Sequence, residues 1–171
     1  MTEYLEILRR SPLFRGIGPE ELSALLDCMG GRPRRMKKGD TILSAGEPAT
    51  HLGIVLAGRV QVSRLKADGQ RIVMGEIRPG HLFAESFACA QAEALPVTVT
   101  AGADGAVLLL DSRRLSSPCS AACSFHSRLI SNLLSVLAHK NLSLADKVEY
   151  LSGRNIRERL LALQEEQKEN R

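Results

Sequence analysis

A row of apolar residues, spaced alternately four and three positions apart, runs from Ile130 to Leu151 and constrains this chain most. This spacing is typical of a coiled-coil seam, because it keeps one stripe of a helix facing a partner helix. At 1.5 Å per residue the row is about 33 Å long, which is more than the core of a small domain needs. Its one polar member, Asn141, is of the kind that fixes register and strand number. The predicted dimer interface is Ile130, Leu134, Leu137, Asn141, Leu144, Val148 and Leu151.

A second apolar stripe on the same helix, formed by Leu129, Leu133 and Val136, points in another direction. We expect this stripe to pack on the residues that precede the helix. A single helix buried inside a monomer is the alternative explanation of the long row. The polar break at Asn141 favours the dimer, because an internal core has no need of it.

Before the long helix, the sequence predicts one short helix and then a series of segments whose apolar residues alternate with a period of two. Pro19 to Met29 predicts a short helix, with proline and acidic residues in its first turn. Short alternating segments then follow, separated by turn signals about every ten residues. Asp68-Gly69, between Val60–Leu65 and Arg71–Ile77, predicts a β-hairpin. We therefore predict an antiparallel jelly roll, with an N-terminal helix before it and a long C-terminal dimerisation helix after it.

Composition limits the location and the partners of the chain. The first ten residues lack the apolar core of a signal peptide, and no apolar run is long enough to span a membrane. We therefore expect a cytoplasmic protein with no membrane partner. A solvated loop or an edge strand is the expected setting of the basic cluster Arg32, Arg34, Arg35, Lys37 and Lys38, because a nucleic-acid surface would need a companion element.

The pattern changes after Leu151. Ser152-Gly153 resembles a hinge, because glycine weakens a helix interior by about 1 kcal/mol relative to alanine. An amphipathic helix is predicted over about 155–167, and it would need a partner that the chain does not supply. We expect three parts: residues 1–126 as N-terminal helices and sensing roll, 127–152 as the dimerisation helix, and 153–171 as hinge and first helix of a truncated DNA-binding domain.

The order of these elements resembles the Crp/Fnr family of bacterial transcription regulators. The residues that carry the resemblance are Ser11–Phe14 with Glu20–Leu22, Lys38–Ile42 with Gly46–Pro48, Gly53–Val60, and Pro79–Glu85. The resemblance implies a cyclic-nucleotide-binding-like roll, also called a double-stranded β-helix, in a homodimer. It also implies a helix-turn-helix domain that binds DNA in the full-length protein but not through this fragment.

The resemblance places the segment after Pro79 at the family's phosphate-binding cassette, where this chain departs from the cyclic-nucleotide-binding members. Those members hold the cyclic phosphate with an arginine and a hydroxyl residue, because a buried phosphate needs a cation and several donors. Leu95 and Pro96 occupy the matching positions here, and Ala84 replaces the cassette glycine. We therefore expect cyclic AMP not to be the effector. Another small molecule could be held by Glu85, Ser86, Phe87, Leu95, Pro96 and Thr98.

The cysteines suggest a second hypothesis, a metal, Fe–S or redox sensor on the same scaffold. Cys119, Cys123 and His126 are spaced so that a helix would stack them on one face, and Cys89 could add a fourth ligand. Some Crp/Fnr relatives sense oxygen, nitric oxide or redox state through Fe–S clusters or haem. Reduced cysteines are also often small buried apolar residues, so this alternative stays open.

Enzymatic activity is the third hypothesis and the least supported one. Cupin-type metal enzymes share the jelly roll, but they need two histidines close together in the sequence plus a carboxylate. The four histidines here are scattered, with no nucleophile and base in a recognisable arrangement. A stand-alone cyclic-nucleotide-binding module is disfavoured by Leu95 and Pro96. We therefore expect an effector-sensing, dimerising regulator domain and not an enzyme.

Overall fold

The computed structural model describes residues 2–116 and 124–152. Two short 3-10 helices, Thr2–Tyr4 and Pro12–Phe14, accompany the helices near the N-terminus. The α-helices are α1 (Leu5–Arg10), α2 (Pro19–Cys28), α3 (Glu85–Cys89), α4 (Arg113–Ser116) and α5 (Ser124–Ser152). The predicted start of α2 is confirmed: Pro19 opens it, and the Glu21 side chain accepts the Gly18 N–H at 2.8 Å.

Within the described part of the chain, eight strands form two four-stranded antiparallel sheets. The strands are β1 (Arg32–Met36), β2 (Thr41–Leu43), β3 (His51–Ala57), β4 (Val60–Leu65), β5 (Arg71–Ile77), β6 (Leu82–Phe83), β7 (Thr98–Ala101) and β8 (Gly105–Asp111). One sheet has the order β1-β8-β3-β6 and the other has the order β2-β7-β4-β5. Neighbours in space are thus mostly distant in sequence, as in a jelly roll.

The inner faces of the two sheets enclose the main core. Its buried members come from both sheets, and they are Met36, Ile42, Val55, Val60, Phe83, Val99, Ala101 and Val107. Gly53 is required here because a Cβ at that position would lie 2.0 Å from the Phe83 ring. The other face of β3 and β8 is also fully buried, through Leu52, Ile54, Leu108 and Leu110, as are Leu22, Leu25 and Leu26 of α2. The central strands β3 and β8 of the first sheet are therefore apolar on both faces.

The predicted hairpin is confirmed with its predicted bounds. Val60 pairs with Ile77 and Leu65 with Arg71, with one register shift between Val62 and Ser63. The Asp68 carboxylate accepts the Gln70 N–H at 2.9 Å, and Gly69 has a φ of 82°, which glycine adopts without strain. The basic cluster lies on β1, at the edge of its sheet, and in the turn that follows, as expected.

The chain divides into two compact units, residues 1–133 and 134–171, so the division falls inside α5 and not at its beginning. In the first unit Leu129 and Leu133 are buried, so the expected packing of the second stripe is confirmed for these two residues. Arg128 donates to the Gly16 carbonyl, and the Asn132 amide donates to the carbonyls of Leu13 and Arg15, both at 2.9 Å. These bonds cap the 3-10 turn at Pro12–Phe14.

Candidate functional site

The cassette segment forms β6, α3 and the loop that leads into β7. Phe83 is buried against Gly53, and the chain turns directly from β6 into α3 at Ala84. Ala84 has a φ of 59°, in the left-handed region where a side chain with a Cβ is strained. Glu85 is buried at 3% exposure, at the start of α3. The acidic residue of the cassette is therefore buried, and the turn that precedes it is made by alanine instead of glycine.

Leu95 occupies the position that the resemblance assigns to the phosphate-binding arginine. Its side chain is buried, with 3% exposure, and so is that of Val97. Both backbone groups of Leu95 are already paired, because its N–H donates to the Glu47 carbonyl at 2.8 Å and its C=O accepts the Gly46 N–H at 2.9 Å. At this position the chain thus offers an apolar side chain and no spare backbone donor.

The six predicted effector-binding residues occupy different environments. Glu85 and Leu95 are buried and Phe87 is half-buried, whereas Ser86 and Pro96 are exposed. Thr98 lies on the opposite face of β7 from the core residue Val99, and its hydroxyl accepts the Ala45 N–H at 3.2 Å. The buried members, Glu85 and Leu95, together with Phe87 remain the candidates for effector contact.

Two of the predicted metal ligands can be placed. Cys89 ends α3 and is exposed, while His126 is buried in the first turn of α5. Although Cys89 is exposed overall, partial burial of its thiol raises the pKa of that group, and the nearby Glu85 carboxylate raises it further, which disfavours the thiolate that binds metals. Among residues 2–116 and 124–152, no group of three His, Cys, Asp or Glu side chains could hold a metal ion. Cys119 and Cys123 lie outside the described residues, so this site stays a prediction.

The predicted dimer row lies along α5 and is mostly exposed. Leu134, Leu144 and Val148 have 60–63% of their surface exposed, Ile130 is less exposed, and Leu137 is half-buried. The polar member Asn141 is exposed as well. Leu151 belongs to α5, but its side chain lies outside the described part of the chain. Large exposed side chains on one stripe are unusual for a helix that has no partner.

The sequence did not reveal how the cassette is held. Three backbone hydrogen bonds join residues 92–95 to residues 46–49, and the third runs from the Ala49 N–H to the Ala92 carbonyl at 2.9 Å. The turn signal Gly46-Glu47-Pro48 predicted a loop here, but it did not indicate which segment the loop pairs with. Backbone pairing between two loops leaves no trace in residue type, so no signal could have identified it.

Comparison with known families agrees with this geometry. The family model "Cyclic nucleotide-binding domain" matches residues 33–120, which are 88 of the chain's 171 residues. The chain therefore belongs to the cyclic nucleotide-binding domain family, and its relatives include Crp-like regulators. The predicted jelly roll is confirmed by this match and by the solved structures of the same fold.

Among the relatives is the "CRP-like cAMP-activated global transcriptional regulator" of Mycobacterium tuberculosis. It is 31% identical over 80 residues, which are 47% of this chain and 35% of that protein. Acetyltransferase Pat of Mycolicibacterium smegmatis is 34% identical over 89 residues, which are 50% of this chain and 26% of that protein. The chain thus spans about a third or less of the length of these curated relatives.

A solved structure with the same fold is the catabolite activator protein of Thermus thermophilus. Its TM-score is 0.65 at 26% identity, over 83% of this chain and 63% of that chain. None of the helices within 2–116 and 124–152 has the length and apolar character needed to cross a membrane.

Proposed function

We propose that this chain is the effector-sensing and dimerising part of a Crp/Fnr-like transcription regulator that does not respond to cyclic AMP. The observation that carries the dimer is the exposed apolar row on α5. The observation that argues against cyclic AMP is the buried Leu95, which stands where the resemblance expects the phosphate-binding arginine. An effector that favours one conformation of the roll would change how the α5 helices of the two protomers pack. That change would alter the spacing of the two DNA-binding domains of the regulator.

Two copies of α5 are proposed to pair along the row from Ile130 to Leu151. Exposed leucines spaced by fours and threes suit a partner helix of the same sequence, and Asn141 would fix the register. Leu142 offers a matched control, because it is as exposed as Leu144, at 64% against 60%, but lies off the row.

Analytical ultracentrifugation of three variants tests the dimer. Leu137→Glu and Leu144→Glu should each convert a dimer into a monomer at micromolar concentration, because each buries two unpaired charges in the seam. Leu142→Glu should leave the dimer intact. A wild-type monomer, or equal weakening by all three substitutions, would contradict the seam.

The effector is proposed to be a small molecule other than cyclic AMP or cyclic GMP. A cyclic phosphate bound at Leu95 would lose its water without gaining a cation or a free donor. Isothermal titration calorimetry with both cyclic nucleotides should give no heat of binding up to millimolar ligand. Micromolar affinity for either nucleotide would overturn this part of the proposal.

DNA is proposed as a partner of a regulator that carries this domain, and not of the described residues themselves. The described residues form the roll and α5, and sequence readout requires an element that reaches base edges. We therefore expect weak, salt-sensitive DNA binding by this chain in a gel-shift assay. Tight, sequence-dependent binding would contradict it. A cytoplasmic location and the lack of enzymatic activity belong to the same proposal.

A further inference from the structure

The outer face of the second sheet carries a polar cluster around Arg71. Val99 of β7 points into the core, so strand alternation places its neighbours Thr98 and Thr100 on the outer face. Ser63 of β4 pairs with Thr98 in the sheet and lies on the same face. The sheet itself therefore separates this cluster from the core of the roll.

The Arg71 side chain crosses three strands on this face. Arg71 lies on the edge strand β5, and its Nε donates to the Ser63 hydroxyl of β4 at 2.9 Å. Its Nη2 donates to the Thr100 hydroxyl of β7 at 3.0 Å. Ser63 is only 2% exposed although it lies on the outer face, as expected for a hydroxyl beneath a guanidinium. The guanidinium is thus held in a defined position above β4.

This ordered cation has hydroxyl partners but, in the part of the chain that the structure describes, it forms no ion pair with a carboxylate. Glu76, on the same strand as Arg71, is paired with Arg59 at 3.0 Å. Fixing an arginine costs rotamer entropy, and bonds to neutral hydroxyls are weaker than the bidentate pairs that arginine forms with carboxylates or phosphates. The guanidinium is therefore oriented, while no described carboxylate compensates its charge.

Several hydrogen-bond donors surround the guanidinium. Two of the five N–H groups of Arg71 make the bonds above, so three remain for another acceptor. Thr100 accepts from Arg71 and Thr98 accepts the Ala45 N–H at 3.2 Å, so each hydroxyl keeps its own proton to donate. The two threonines are about 7 Å apart along the strand. The fork of an arginine occupies both oxygens of a carboxylate, whereas a phosphate has further oxygens for the two hydroxyls.

We propose that Arg71, Thr98 and Thr100 form a binding site for a phosphate group on the outer face of the roll. Arg71 supplies the charge and the planar fork, Ser63 holds the guanidinium in place, and the two threonine hydroxyls donate to the remaining oxygens. Free phosphate and a phosphate monoester share this chemistry, because each presents at least three free oxygens. A cyclic phosphodiester, with two free oxygens and a single charge, does not fit. The inference does not rest on the proposed dimer or effector.

Titration of the whole chain with inorganic phosphate, followed by heteronuclear NMR, tests the site. The amides of Thr98 and Thr100 and the Arg71 Nε–H should shift until they saturate, with a Kd on the order of 1 mM because the site is exposed to solvent. Arg71→Gln should weaken binding by about tenfold. Arg71→Lys should weaken it by about threefold, because lysine keeps the charge but not the fork. Thr100→Val keeps the shape of the side chain and should also weaken binding by about threefold.

Arg64→Gln is the matched control. Arg64 is exposed on the same hairpin, but it follows Ser63 on β4 and so lies on the other face. This substitution should change the affinity for phosphate by less than about twofold. Acetate should bind the wild type more weakly than phosphate does, because it cannot reach both hydroxyls.

The source of the phosphate group is distinguished by a parallel titration with methyl phosphate. Tighter binding of the ester assigns the site to a phosphate monoester, and tighter binding of inorganic phosphate assigns it to the free ion; either result supports the site. Shifts that do not saturate up to tens of millimolar phosphate would overturn the proposal. Equal weakening by Arg64→Gln and Arg71→Gln, or equal affinity for acetate, would overturn it as well. None of these results would affect the α5 dimer or the calorimetry with cyclic nucleotides.

Discussion

The two parts of α5 carry similar apolar stripes but have opposite environments. Before residue 134 the stripe is buried, with Leu129 at 0% and Leu133 at 5% exposure, and polar side chains hold neighbouring carbonyls. After residue 133 the side chains of Leu134, Leu144 and Val148 are mostly exposed. The helix period is the same in both parts. Burial along one helix is thus decided by the elements packed against it, and the exposed apolar part is of the kind that binds a partner.

The largest expected effect tests the buried part of the helix. Leu129→Ala should lower the free energy of unfolding by about 2–5 kcal/mol, because it leaves a cavity at a fully buried site. Leu142→Ala, at an exposed site of the same helix, should change it by less than about 0.5 kcal/mol. Urea denaturation of both variants measures the difference. Equal effects would contradict the contrast between the two parts.

A smaller effect is expected for the polar attachment of α5. Asn132→Ala removes two hydrogen bonds to the carbonyls of Leu13 and Arg15, and should cost about 1 kcal/mol after the gain in helix propensity. Ser131→Ala, at an exposed neighbouring position, is the control. The midpoints of urea denaturation, compared at an unchanged m value, measure the difference in the free energy of unfolding. A neutral Asn132→Ala would mean that water replaces both bonds without loss.

The smallest expected effect is on the stability of the protein in acid, and it comes from one ion pair at the end of β8 in the roll. Arg113 forms a hydrogen-bonded ion pair with Asp111 at 2.8 Å and lowers the pKa of that carboxyl from 3.8 to about 2. Because the folded pKa is the lower one, the pair stabilises the protein above about pH 4, and this contribution is lost as the pH falls toward 2. The effect should be modest, since Arg113 is largely exposed.

Asp111→Asn should remove this part of the acid dependence, which thermal melts between pH 2 and 6 would reveal. Replacing an exposed carboxylate elsewhere, Glu93→Gln, is the matched control. If both variants lose stability with acid as the wild type does, the ion pair contributes nothing measurable.

Much of the fold could be predicted because local geometry leaves a clear pattern. The β4–β5 hairpin was predicted with its bounds, since Asp68-Gly69 between alternating residues specifies a tight turn. The start of α2 and the buried pair Leu129 and Leu133 followed from helix periodicity. The candidate site was less predictable. Thr98 was grouped with Leu95, but strand alternation places it on the face of β7 away from the core residue Val99.

By itself the sequence determined the alternating strands, the apolar row on α5 and the absence of an arginine at positions 95 and 96. These properties depend on residue type and on the periods of 2 and 3.6 that backbone dihedral angles impose. Only the tertiary structure decided that Leu95 is paired with residues 46 and 47, and that Ala84 and Gln91 adopt left-handed conformations. The pairing of Leu95 joins segments far apart in the chain, which constrain each other only after the roll has closed, whereas the two left-handed residues follow from backbone dihedral angles that residue type alone does not specify.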